Sequence, residues 1–135
     1  TEATVRVIAG RFGDVDARID TRTPVQYLHV RLEAGASLRV PVPDGQQGFA
    51  YVLGGDGLVG GTAVAQRIVA VLAGDGEVTL DAGASGLDAI VVSGVPLREP
   101  VFQWGPFVMN ERKEILQAVA DFESGKMGRI APRLG

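Results

Sequence analysis

The sequence VQYLHVRL, residues 25–32, decides the fold class because its strongly apolar side chains recur at every second position. Leu28, Val30 and Leu32 would point to one face of an extended chain, and the residues between them to the other. Such alternation is typical of a β-strand that has one face in a core and the other face outside it.

Similar short strands are predicted on both sides of this segment, each bounded by Gly, Pro or Asp. Turn signals recur about every eight to twelve residues, which favours an all-β sandwich or barrel. Pro41 and Pro43 indicate that LRVPV is an edge strand, because proline cannot donate to a ladder. The glycine-dense segment GGDGLVGG, residues 54–61, is predicted to be a hairpin connection. The predicted strands are TVRVIAG, VQYLHVRL, LRVPV, FAYVL, RIVAVL, GEVTL and LDAIVVSG.

One α-helix is predicted near the end of the chain, at about residues 111–124. Pro106 leads into it, Asn110 is a favourable N-cap and Gly125 supplies the stop. Its apolar residues fall at i, i+3, i+4 and i+7 and form one stripe, which is expected to pack against another apolar surface. They are Ile115, Ala118, Val119 and Phe122.

The segment before this helix is the densest run of large apolar residues in the sequence. Two interpretations stay open. Either this segment and the helix close the open end of the barrel, or part of their surface docks on a neighbouring domain or subunit. The residues predicted for such an interface are Trp104, Phe107, Met109, Ile115 and Phe122.

Composition narrows the class of protein. A chain of 135 residues suits one domain, 1–135. The net charge is -3, and basic residues gather only at the chain end, at Lys126, Arg129 and Arg133, so no nucleic-acid surface is expected. The sequence has no cysteine and no apolar run long enough for a membrane span. We therefore expect a cytoplasmic protein.

Several motifs resemble those of the pirin family. GPFVMN followed by EILQAVADFESGKMG resembles the closing motif of that family. VRVIAGRFG, TPVQYLHVRLEAGA and FAYVLGG resemble the stretches that open and build its C-terminal domain, so the resemblance covers nearly the whole chain. Glu111 departs from the family, which usually has threonine after the asparagine, but it is expected to leave the Asn110 cap intact.

The resemblance implies an all-β cupin fold, a β-barrel or jelly-roll sandwich, with one C-terminal α-helix. It also implies that a full pirin has two tandem cupin domains, with an iron site of three histidines and one glutamate in the N-terminal domain. Several pirins are credited with quercetin 2,3-dioxygenase activity, and others with roles as transcriptional cofactors or protein-binding regulators. This chain looks like the second domain without the first.

Whether this domain itself holds a metal depends on its own ligands. A cupin metal site needs two histidines two apart on one strand, a carboxylate soon after, and a third histidine from a returning strand. The chain has one histidine, and the first motif region offers Gln46, Gln47 and Phe49 instead of ligands. The second motif region offers Asp81 and Asp88 without a histidine. No metal ligand, cofactor or catalytic residue is predicted in this domain.

The lone histidine, His29, lies on the polar side of its strand, where it lines the barrel mouth, contacts a partner or lies on the surface. If the interior is open, inward positions would place Tyr27, Phe49 and Tyr51 around an apolar ligand. The alternative is that these side chains fill the interior. Tyr27, His29, Phe49 and Tyr51 are the residues predicted for a ligand pocket.

Three functions stay open. The first is a metal-free cupin that acts as the structural and interaction half of a pirin-like protein, with the N-terminal cupin domain or a second copy as its partner. The second is part of an iron-dependent quercetin 2,3-dioxygenase whose metal site lies in the N-terminal domain. The third is an independent cupin that binds a small molecule. The chain alone is not expected to be an enzyme, although a full-length parent would be one in the second case.

Overall fold

The computed structural model describes residues 2–73 and 76–131. The chain divides into two compact units, Thr1–Pro96 and Leu97–Gly135. Arg133, one of the basic residues at the chain end, lies outside the described residues. The expectation of a single domain stays a prediction.

The first unit is made of strands and turns, as the sequence predicts. Its described residues form nine strands. Seven of them make one antiparallel sheet, and two short ones make a separate hairpin. The strands are β1 (Ala3–Ala9), β2 (Arg11–Phe12), β3 (Val15–Asp16), β4 (Val25–Leu32), β5 (Ser37–Val42), β6 (Gln47–Val59), β7 (Thr62–Ala65), β8 (Val69–Ala73) and β9 (Gly76–Gly94).

The long strands β6 and β9 pair with each other along two stretches, so both belong to two arms of the sheet. The first arm has the order β1-β4-β9-β6-β8, and it includes the pair Ala50 and Val91. The second arm has the order β5-β9-β6-β7, and it includes the pair Leu58 and Asp81. Buried residues of both arms form one cluster, which is the arrangement of a sandwich. The all-β prediction is confirmed.

Two segments that the sequence analysis treated as breaks between strands lie inside strands. The glycine-dense segment 54–61 is not a connection throughout, because β6 continues to Val59 and only Gly60 and Gly61 form the turn to β7. Gly57 lies where β9 approaches closely, and a Cβ at this position would overlap the Asp81 carbonyl oxygen. Glycine therefore permits close strand pairing here. GEVTL and LDAIVVSG likewise belong to one strand, β9.

The core between the two arms is aliphatic. The alternation in β4 is confirmed, since Leu28 and Val30 are fully buried. In β5 the buried residues flank the exposed Pro41, and this strand pairs only with β9 among the described strands, as expected for an edge. The fully buried core residues are Leu28, Val30, Val40, Val42, Ala50, Val52, Leu80, Ala89 and Val91.

The second unit combines a short hairpin with the predicted helix. Strands β10 (Phe102–Trp104) and β11 (Phe107–Met109) pair through the turn at 105–106, so the proline lies in this turn and not at the helix entry. Helix α1 spans Arg112–Glu123, close to the predicted bounds. Gly125 follows with a φ of 76°, which confirms the predicted stop. In the described parts of the chain, no helix has the length and apolar character needed to traverse a bilayer.

The helix begins differently from the prediction. Its N-cap is Glu111, whose backbone N–H donates to the Glu114 carboxylate at 2.8 Å, the returning half of a capping box. Asn110, the predicted cap, donates its side-chain N–H groups to the Glu99 carboxylate at 3.0 Å and to the Pro100 carbonyl at 2.9 Å. The departure at Glu111 thus supplies the cap, and Asn110 instead ties the segment before the hairpin to the segment after it.

A core substitution tests this packing. Leu28→Ala should lower the free energy of unfolding by about 2–5 kcal/mol, because it removes buried methyl groups and leaves a cavity. The measurement is urea-induced unfolding followed by circular dichroism. Leu97→Ala, at an exposed position, is the matched control and should change the same quantity by less than about 0.5 kcal/mol. Equal effects of the two substitutions would contradict the assignment of Leu28 to the core.

Candidate functional site

The described residues of the first unit do not present a set of metal ligands in its interior. The side chains that point inward from the central strands of the first arm are aliphatic, including Val30, Val52 and Val91, and all three are fully buried. Among residues 2–73 and 76–131, no group of three or more His, Cys, Asp or Glu side chains is close enough to hold a metal ion. Iron in a cupin requires imidazole and carboxylate donors that converge. The described residues that face this interior therefore do not fit an iron ion, and the iron that the family resemblance implies belongs to the N-terminal domain.

The residues that stand in place of cupin ligands have other partners. Gln46 accepts a hydrogen bond from the buried Ser93 hydroxyl at 3.1 Å. Asp81 accepts one from the Ser37 hydroxyl across β5 and β9. The Asp88 carboxylate is hydrogen-bonded to the His29 imidazole, outside the core. These polar groups form separate contacts and do not converge on one point.

The four residues predicted for a ligand pocket share the outer face of the first arm. Tyr27 pairs with Val92 of β9, which in turn pairs with Phe49 of β6. His29 and Tyr51 lie in the next row on the same face, both opposite Ile90. The sequence analysis expected Tyr27, Phe49 and Tyr51 at inward positions, but the inward positions of β6 are Ala50 and Val52. The aromatic residues therefore do not line the interior.

Of these four residues, Phe49 borders a surface groove. The groove has a volume of about 650 Å³ and is also lined by Val71, Val92 and Val95. Phe49 is 39% exposed, so its ring is only partly covered by these neighbours. Ligand binding by Tyr27, His29, Phe49 and Tyr51 stays a prediction.

A polar cluster at the centre of the outer face holds His29. Its Nε2 lies 2.7 Å from one oxygen of Asp88, and the Nε–H of Arg31 donates to the other oxygen at 3.1 Å. His29 and Asp88 are both partly buried, whereas Arg31 is exposed. The carboxylate thus orients the imidazole on the sheet surface. His29 and Asp88 were both named from the sequence but not paired, because residues 29 and 88 are brought together only by the register of β4 on β9.

The predicted interface residues all belong to the second unit. Ile115 is buried, Phe107 and Met109 are partly buried, and Trp104 and Phe122 are 62% and 65% exposed. The rings of Phe107 and Phe122 meet edge to face, with centroids 6.3 Å apart. The unit therefore leaves large aromatic surface uncovered by its own residues.

An apolar groove lies between the hairpin and the helix of this unit. It has a volume of about 350 Å³ and is lined by Phe102, Trp104, Ile115, Leu116 and Val119, with Gln103 and Arg112 at its polar margin. Sequence reasoning missed Leu116, because it lies outside the i, i+3, i+4, i+7 stripe and was not assigned to either face.

The last turn of the helix is held by polar contacts. The Asp121 carboxylate accepts hydrogen bonds from the Gln117 amide at 2.8 Å and from the Lys126 ammonium at 3.1 Å. These two bonds hold the pKa of the Asp121 carboxyl below its usual value. This end of the helix is thus anchored by side chains that take no part in the apolar groove.

The two-armed sandwich with its aliphatic interior defines the class of the protein, a cupin domain. A sequence profile of the Pirin C-terminal cupin domain matches residues 27–128. The chain belongs to the pirin family.

Individual relatives agree with this assignment. The chain is 39% identical over 130 residues to human pirin, an alignment that covers 93% of this chain and 45% of that protein. It is 40% identical over 126 residues to a putative quercetin 2,3-dioxygenase of Pseudomonas aeruginosa, covering 93% of this chain and 44% of that protein. A crystal structure of a quercetin 2,3-dioxygenase from Acinetobacter baumannii superposes with a TM-score of 0.85 at 34% identity, over 96% of this chain and 45% of that chain. The chain thus spans about 45% of the length of its relatives.

Substitution of Asp88 tests the role of the polar cluster. Asp88→Ala should lower the free energy of unfolding by about 1 kcal/mol, because it leaves the partly buried imidazole without its acceptor. Arg31→Ala removes an exposed ion pair and should cost less than about 0.5 kcal/mol. Both values are read from urea unfolding curves near neutral pH. An Arg31→Ala effect equal to or larger than that of Asp88→Ala would contradict this order of importance.

Proposed function

We propose that this chain is the metal-free, interaction half of a pirin-type bicupin. It works beside a second cupin domain that supplies the iron site, and it contributes surface and stability. The lack of cysteine favours a reducing compartment, and we place the protein in the cytoplasm.

The observation that carries this proposal is the filled interior. Inward positions of β4, β6 and β9 hold Leu28, Val52 and Ala89, all at 0% exposure. An aliphatic interior of this kind offers no donor to a metal and no space for a substrate next to one. We therefore derive no catalytic step within this domain. What it offers to a partner is its surface.

We propose that the partner cupin domain binds the exposed apolar surface of the second unit. Trp104 and Leu116 are exposed at the rim of the apolar groove, and Phe122 is exposed on the same helix. Interfaces are enriched in tryptophan and arginine at the positions that contribute most to affinity, and Trp104 and Arg112 border this groove together. The partner we propose is the iron-bearing first cupin domain of the family, because the relatives are more than twice as long as this chain.

A second candidate function is supported by the names of two relatives, one described as a putative quercetin 2,3-dioxygenase and the other as a quercetin 2,3-dioxygenase. In that case the complex of this domain with its iron-bearing partner oxidises a flavonol, and this domain shapes the complex without supplying donors to the metal.

Reconstitution separates these possibilities. The first cupin domain of the Pseudomonas aeruginosa relative is produced alone, loaded with iron, and assayed for quercetin turnover with and without this chain. We expect the chain alone to be inactive. A rise in turnover on mixing supports the dioxygenase candidate, and complex formation without turnover supports the interaction role alone. Absence of any complex by calorimetry would contradict the proposed function.

The assigned surface is tested by Trp104→Ala. Loss of a large aromatic anchor should weaken binding to the first cupin domain by about 2 kcal/mol, or roughly 30-fold in Kd. Val15→Ala, at an exposed apolar position in the first unit, is the control and should leave Kd unchanged. The measurement is isothermal titration calorimetry, with circular dichroism to confirm that each variant is folded. A Trp104→Ala variant that binds as tightly as the parent would contradict this surface.

A further inference from the structure

Strand β8 forms one edge of the first arm of the sheet. It pairs with β6 on one side, and the described residues provide no strand on its other side. A groove of about 670 Å³ runs along this free edge, between β8 and a wall formed by residues 60–62 and 77–79. Unpaired backbone groups of such an edge are a template for another strand.

The other sheet edges carry features that hinder pairing with a second chain. Strand β1 has Arg6 and an irregular register after Val7. Strand β5 contains Pro41, and β7 is only four residues long. Charges, bulges, prolines and short length are the means by which natural sheets protect their edges.

Strand β8 lacks charges, bulges and prolines, and it is one residue longer than β7. Its sequence, VAVLA, contains no charged residue and no proline, and its pairing with β6 is regular. Val71 is 86% exposed, and Val69 and Ala73 are also exposed on the same face. An apolar and exposed edge of this kind is expected to be paired in the working protein.

We propose that β8 pairs with β8 of a second copy of this chain, antiparallel and centred on Val71. This inference goes beyond the proposed function, since it concerns a different surface and a different partner. The pairing joins the first arms of two copies into one continuous sheet.

The strand is complementary to itself in this register. Val71 lies opposite the partner's Val71, Val69 lies opposite the partner's Ala73, and Ala70 lies opposite the partner's Leu72. Inward residues then face inward residues and outward residues face outward residues, as the period of two requires. Because β8 has no ionisable side chain, the two-fold pairing places no like charges opposite each other.

The pairing also covers exposed apolar surface. Phe49 is the cross-strand neighbour of Val71 on β6, and Val92 is the neighbour of Phe49 on β9. In the dimer the row Val92, Phe49, Val71 continues into the same row of the partner. Cross-strand apolar pairs of this kind stabilise a sheet.

The first test is the oligomeric state by sedimentation velocity from micromolar to millimolar concentration. We expect a reversible dimer. Val71→Lys places two ammonium groups opposite each other and should weaken the dimer by about tenfold or more in Kd. Val15→Lys, the matched control at an exposed apolar position, should leave Kd unchanged. A monomer at all concentrations, or a dimer that Val71→Lys does not weaken, would overturn the proposal.

The second test is the register, and the cysteine-free sequence makes it direct. Val71→Cys chains should cross-link to one another on mild oxidation, because the two side chains are directly opposite. Val69→Cys chains should not, since their Cβ atoms lie about 13 Å apart, but they should cross-link to Ala73→Cys chains. Efficient cross-linking of Val69→Cys chains to each other, with none at position 71, would overturn the antiparallel pairing even if a dimer forms.

Discussion

The register of β4 and β6 on β9 is the constraint on which the rest of the structure depends. In this register Leu28, Val91 and Ala50 lie side by side on the inner face, and Tyr27, Val92 and Phe49 lie side by side on the outer face. A slip of one residue in any of these strands would exchange the two faces. The aliphatic interior and the aromatic exterior are therefore two results of one pairing pattern.

The separation of an aliphatic inner face from an aromatic outer face limits the chemistry that this domain can support. Metal chemistry in a cupin needs donors inside the sandwich, and here the interior positions are aliphatic while His29 and Asp88 satisfy each other on the outer face. The apolar surface that a larger assembly would cover lies instead on the hairpin and helix of the second unit and along β8 of the first. The proposed role as the interaction half of a two-cupin protein rests on this division between an aliphatic interior and an apolar surface.

Much of the fold follows from local signals in the sequence. The alternation in VQYLHVRL predicted the strand and its buried face, Pro41 predicted an edge strand, and Gly125 predicted the helix stop. The start of the helix was mispredicted because Glu111 and Asn110 both have side chains able to cap. Asn110 does not cap the helix because its side chain donates hydrogen bonds to Glu99 and Pro100, which lie outside the helix. The long strands β6 and β9 were divided by glycines that indicate turns in isolation and close strand approach in context.

The candidate site was harder to predict, since it depends on which strands are neighbours. Periodicity alone could not pair His29 with Asp88 or show that β8 ends a sheet. The central claim is that the described residues of the interior provide no site for iron. It is tested most directly by adding a paramagnetic divalent metal to the isotope-labelled chain and recording amide line broadening. The account predicts no selective broadening at interior positions such as Val52 and Ala89. Broadening centred on these residues that saturates at one equivalent of metal would contradict it.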